Sequence, residues 1–238
     1  MTSDRATMRI LVGTSGWSYK EWKGSFYPSD LAAGGMLSYY AGRLPAVEIN
    51  NTFYRMPGEG VLLRWAAEVP AEFRFVLKAS RRITHNNRLT DPDGSLGYFL
   101  RTANVLGEKL GPTLFQCPPS LQKDLPRLRD FLALLPHRWR AAFEFRHASW
   151  FSEDVYDALR SQEVALVTVE DDEMATPLVP TASWGYLRLR RAAYTESELE
   201  SWAGRVREQP WEEAFVFLKH EEDSAASPAM AQAMLRML

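Results

Sequence analysis

The chain has one cysteine, Cys117, among 238 residues. That excludes an intramolecular disulfide and points to a reducing compartment. It has no run of 18 uninterrupted apolar residues, so no segment has the length of a membrane-spanning helix. Its first residues, MTSDRATMR, carry an acid and polar groups where a secretory leader would be apolar, and an unexported cytoplasmic protein is expected. Charge of one sign is scarce as well: a formal charge of -2 and a pI near 6.1 leave no global basic face, so nucleic acid is a disfavoured partner. There is no low-complexity tract, internal repeat or linker, and residues 1–238 read as one domain. The phosphate loop GxxxxGK[ST], the dinucleotide fingerprint GxGxxG and the zinc motif HExxH are all missing. No organic cofactor is called for, and the oligomeric state leaves no mark in the sequence.

What is present is an alternation of short β-rich runs with segments of helical period, the pattern of βα units around a parallel sheet. Strands are expected at RILVG, AVEINN, FRFVLKAS, TLFQC, AAFEFR, ALVTV, YLRLR and AFVFLK. Helices are expected around 35–44, 60–68, 94–110, 125–135, 153–162, 196–208 and 227–238. The sixth connection, EDDEMATPLVPTAS, is too broken by proline to hold a regular helix. Ser152 and Thr195 stand where N-caps belong, each followed by acids that suit the positive helix end. Eight strands in a chain of this length match a (β/α)₈ barrel of the TIM type, with its sixth helix short or irregular.

In such a barrel one strand parity faces the helices and the other faces inward, and inward polar groups reach a ligand only near the carboxyl ends. Val47, Ile49, Phe75, Leu77, Phe143, Phe145, Leu187 and Leu189 take the outward parity. Glu48, Asn50, Thr52, Lys78, Ser80, Gln116, Glu144, Arg146, Arg188 and Arg190 take the other. Buried charges need partners, and an internal ion-pair network is one reading of this set. Four cations, Lys78, Arg146, Arg188 and Arg190, nevertheless face only Glu48 and Glu144. A small anion, carboxylated or phosphorylated, would balance the difference, and the guanidinium fork suits it. Phosphate sites on this fold often follow the seventh and eighth strands, where Arg190, Arg191, Lys219 and His220 lie.

The motifs VGTSGWSYKEWKGSFYP, VEINNTFYR, FVLKASRRITH, LFQCPP and FEFRHASWF, in this order, resemble the domain of unknown function 72 family. The resemblance covers nearly the whole chain and implies a TIM-type barrel without implying an activity. Its pattern matches Gly13 to Trp17; Glu48 and Asn50 to Tyr54; Lys78, Ser80, Thr84 and His85; Gln116 with the two prolines of its motif; and Glu144, Arg146, His147 and Trp150. The carboxyl-terminal third departs from it. Arg190-Arg191 stand where the family tends to His-Gly, and Lys219-His220 where it tends to an Asn pair.

The leading expectation is an enzyme, a hydrolase, isomerase or lyase, acting on a small anionic substrate. Arg146, Arg188 and Arg190 would clamp the anion and Glu48 would move protons, tuned by Glu144 and Lys78. Asn50, Asn51, Tyr54, Ser80, His85, Gln116, His147 and Lys219 would complete the pocket. Lys78 as a Schiff-base amine is disfavoured, because two glutamates close by would hold it charged. Two other classes stay open. One is a non-catalytic module that senses a metabolite or docks a protein partner. The other is a metal-dependent phosphodiester hydrolase with His85, His147, Glu48 and Glu144 converging on a divalent cation. An arginine in the same mouth works against that cation. The aromatics Trp17, Tyr19, Trp22, Phe26 and Tyr27 are expected to pack a long first loop over the barrel rather than to stack a ligand. Ser15 and Ser80 lack a His-acid relay, and Cys117 reads as a small buried hydrophobe.

Overall fold

A computed structural model describes residues 8–91, 93–171, 175–219 and 226–238. Eight parallel strands close in sequence order: β1 (Arg9–Ser15), β2 (Ala46–Ile49), β3 (Arg74–Lys78), β4 (Leu110–Gln116), β5 (Ala141–Glu144), β6 (Ala165–Glu170), β7 (Trp184–Leu189) and β8 (Glu213–Leu218). Seven helices lie between and after them: α1 (Met36–Ala41), α2 (Glu59–Ala67), α3 (Ser95–Ala103), α4 (Leu125–Ala133), α5 (Glu153–Arg160), α6 (Glu196–Arg207) and α7 (Ala226–Met237). No helix joins β6 to β7 among the described residues, as the prolines of that connection require. The architecture is a (β/α)₈ barrel of the TIM type.

Strand parity divides the core in two. Val47, Ile49, Phe75, Leu77, Phe143, Phe145, Leu187 and Leu189 pack outward with the helices. Leu11, Ala46, Val76, Leu114, Ala142, Val167, Tyr186 and Phe217 fill the barrel interior. The interior is therefore apolar below and becomes polar only in its last inward positions, Glu48, Lys78, Gln116, Glu144 and Arg188, all buried. Strands β1 and β2 approach so closely that a Cβ on Gly13 would lie 2.0 Å from the Ala46 carbonyl oxygen, and only glycine fits there.

Three local expectations are corrected. The helix foreseen over 94–110 is α only to Ala103; a 3₁₀ stretch continues to Lys109, with Gly107 at φ 55° and ψ -131°, and β4 starts at Leu110 rather than Thr113. Strand β2 ends at Ile49, and Asn51–Phe53 form a 3₁₀ turn. Thr52 thus leaves the strand alternation, and its hydroxyl donates to the carbonyls of Ile49 (2.9 Å) and Lys78 (2.7 Å), tying two strand ends together. Ser152 makes no cap bond to α5; its hydroxyl donates to Asp154 at 2.6 Å. Thr195 does cap α6, in a reciprocal box with Glu198.

Candidate functional site

Two buried carboxylates organise the carboxyl end of the barrel. Glu48 accepts from Ser15 Oγ (2.8 Å), Asn50 Nδ2 (3.1 Å) and Arg188 Nη2 (2.8 Å) on Oε1, and from the Tyr186 hydroxyl (2.7 Å) on Oε2. Glu144 accepts from Arg188 Nη1 (2.5 Å) and Gln116 Nε2 (2.7 Å). Arg188 therefore bridges the pair, with both partners fully excluded from solvent. Burial works to raise the Glu48 pKa, but the charge of Arg188 and the hydrogen bonds from Arg188, Tyr186 and Ser15 outweigh it and hold the carboxyl down at about 2. Four donors and full burial fix this carboxylate in place. The same two glutamates push the Arg188 guanidinium further above its ordinary value against the opposing effect of burial.

Further cations stand around this pair. Lys78 Nζ donates to Gln116 Oε1 at 2.7 Å and stands 4.2 Å from the centre of the Phe53 ring. Burial first, then the positive charge of Arg188, lower its pKa to about 8, with Glu144 and Glu48 opposing. Arg190, beyond the end of β7, has Glu144 at 3.9 Å and Asp171 at 3.7 Å. Those distances balance part of its charge but lie outside hydrogen-bond reach. Its buried Nε and Nη1 have no hydrogen-bond partner, and neither does the buried Nε of Arg146.

The remaining candidates divide. His85 rides on a π-type turn, Arg82–Asn86, and packs edge-on to Phe53 at 4.9 Å. Burial and the charges of Lys78, Arg81 and Arg146 lower its pKa. Its Nδ1 pairs with Thr84, whereas His147 Nδ1 pairs with Ser149 and caps the turn Ala148–Trp150. The Nδ1 of each histidine is thus engaged within its own loop. Among the described residues no group of three His, Cys, Asp or Glu could hold a metal ion. Ser80 Oγ accepts from the Arg82 amide, and Asn51 and Tyr54 are exposed. Lys219 joins the ends of β7 and β8 through its amide to Leu189. Arg191 turns away to Glu198, at 2.7 Å. His220 lies outside the described residues.

Sequence reasoning passed over Tyr186 and Asp171. Tyr186 carried a signal, since it shares inward parity with Arg188; Asp171 carried none beyond its place in an acidic run. In the first loop Trp22 is fully buried against Tyr19, Phe26 and Tyr27. Trp17 packs edge-on to Trp65 and lines, with Tyr19, Leu37, Ile49 and Asn50, a cavity of about 430 Å³ beside the mouth. A cleft of about 700 Å³ opens at the opposite, amino-terminal end. There Arg140 is already paired with Glu213 and stacked on Trp184, and barrels of this kind place their chemistry at the other face.

The sequence profile described as protein of unknown function DUF72 matches residues 11–238. The chain belongs to the DUF72 family. It is 30% identical over 145 residues to the UPF0759 protein YecE of Escherichia coli K12, an alignment of 60% of this chain and 51% of that one. Identity to the UPF0759 protein YunF of Bacillus subtilis is 29% over 157 residues, 62% of this chain and 54% of the other. These alignments span about half the length of the curated relatives. Among solved structures, the DUF72 protein TM1631 of Thermotoga maritima superposes with a TM-score of 0.83 at 27% identity, covering 96% of this chain and 98% of that one. EF0366 of Enterococcus faecalis gives 0.77 at 20%, covering 96% and 95%, a likeness of fold. Among the described residues no helix is long and apolar enough to cross a membrane.

Proposed function

We propose that the barrel mouth binds a small phosphorylated or carboxylated molecule and that the protein acts on it by proton transfer, with Lys78 as the titrating group. The observation that carries this reading is Arg190, whose Nε and Nη1 are buried without a hydrogen-bond partner, as is the Nε of Arg146, the nearest carboxylates of Arg190 standing off at 3.7 and 3.9 Å. Buried donors without acceptors cost stability, and an anion supplies the acceptors. Arg188 is spoken for by both glutamates, so the clamp falls to Arg190 and Arg146. Glu48 and Glu144 serve as fixed counter-charges, and the proton passes to Lys78, whose pKa of about 8 suits exchange near neutrality. The buried Cys117 fits a reducing cytoplasm.

Thermal unfolding with inorganic phosphate, sulfate and a panel of phosphorylated and carboxylated metabolites tests this. A ligand at about 100 times its Kd adds roughly 2.7 kcal/mol. Stabilisation by a subset of anions is expected, and Arg190→Ala is expected to remove it. No response to any anion would overturn the proposal.

A further inference from the structure

We infer that Lys78 is an amine nucleophile that forms a Schiff base with the carbonyl group of an anionic aldehyde, ketone or keto acid held in the mouth. This rests on the anion-binding reading above. Neither glutamate lies within ion-pair distance of Lys78: among the described residues its Nζ hydrogen-bonds only to Gln116 Oε1, at 2.7 Å. The orientation of that amide is fixed. Gln116 Nε2 donates to Glu144, and turning the group over would set oxygen against carboxylate and NH₂ against ammonium. A neutral acceptor has a further consequence. It satisfies the ammonium, and it satisfies equally the free amine, which still donates one N–H to Gln116 while its lone pair points elsewhere. A carboxylate in that place would hold the proton.

The surroundings raise the share of free amine above that of an exposed lysine, although Glu144 and Glu48 oppose the shift and the ammonium stays the major form at pH 7. Lys78 is 9% exposed, and the guanidinium groups of Arg188 and Arg190 both press its pKa down. The buried nitrogens of Arg190 and Arg146 that lack a hydrogen-bond partner offer the anionic end of a substrate its anchor. In the reaction Nζ attacks the carbonyl carbon, a C–N bond forms and the π pair moves to oxygen. The oxygen leaves as water with the two protons the nitrogen gives up, and a C=N bond remains. Water reverses the step.

The test is reductive trapping at pH 7 with sodium cyanoborohydride and, in turn, glyoxylate, pyruvate and glyceraldehyde 3-phosphate, followed by intact mass and peptide mapping. The phosphate response of the unmodified protein is measured in parallel. A single adduct at Lys78 is expected, forming at least about tenfold faster than at the exposed Lys20, Lys23 or Lys123, because the low pKa raises the share of free amine. Excess phosphate should slow it, and Lys78→Arg should abolish it. Phosphate stabilisation without preferential labelling of Lys78 would overturn the nucleophile alone; absence of both would overturn the anion site as well.

Discussion

Arg188 shows how much one side chain can be asked to do. It pairs with two buried carboxylates through two of its nitrogens, at 2.8 and 2.5 Å, and is itself only 4% exposed. Removing one member of such a network leaves charges buried without a partner, which costs about 3–5 kcal/mol. Arg188→Met is therefore expected to lower the unfolding free energy by that amount in urea titration. A change below about 1 kcal/mol would mean that the carboxylates find other partners. Glu48, Lys78, Glu144 and Arg188 are legible in the sequence because inward parity is a strict period of two. Their division of labour is not, because it depends on which pairs come within 3 Å. Two glutamates near a lysine read as its counter-ions; in the fold Gln116 stands between Lys78 and Glu144.

At the scale of elements, local chemistry and tertiary contact compete for the same hydroxyls. Thr195 and Ser152 look alike in sequence, each ahead of an acidic first turn, yet only Thr195 bonds a helix amide, that of Glu198 at 3.3 Å, while Glu198 returns a bond to the Thr195 amide. Ser152 is drawn instead to Asp154 and to Lys123, a residue 29 positions away. Thr195→Ala should cost about 1 kcal/mol, and Ser152→Ala less than about 0.5 kcal/mol, by thermal or urea unfolding; equal costs would refute the distinction. The same competition explains the helix foreseen over 94–110. Its apolar spacing is real, but Gly107 permits a left-handed turn that delivers Leu110 to the sheet beside Phe75 three residues early.

For the molecule as a whole, the charged mouth sets stability against pH. Glu48 has its pKa lowered from 4.5 to about 2 on folding, so its contribution is present above pH 4.5 and is lost as pH falls toward 2. Lys78 has its pKa lowered from 10.5 to about 8. The unfolded chain therefore binds the proton more readily, and the penalty for charging Lys78, full below pH 8, is relieved as pH rises toward 10.5. Urea unfolding across pH should show stability falling on the acid side in that window, and an alkaline rise that Lys78→Met removes. The wild-type and variant curves running parallel from pH 8 to 10 would refute the Lys78 assignment. What the sequence by itself determined is the barrel, because periods of two and 3.6 are local properties repeated along the chain, and repetition survives errors at single boundaries. Only the tertiary structure decided which buried groups are satisfied and which are left waiting. Arg188 and Arg190 are two residues apart at the end of one strand, but the former meets two carboxylates at 2.8 and 2.5 Å and the latter has its nearest ones at 3.7 and 3.9 Å, outside hydrogen-bond reach. That difference arises from five strand ends meeting in space, and no spacing along the chain encodes it.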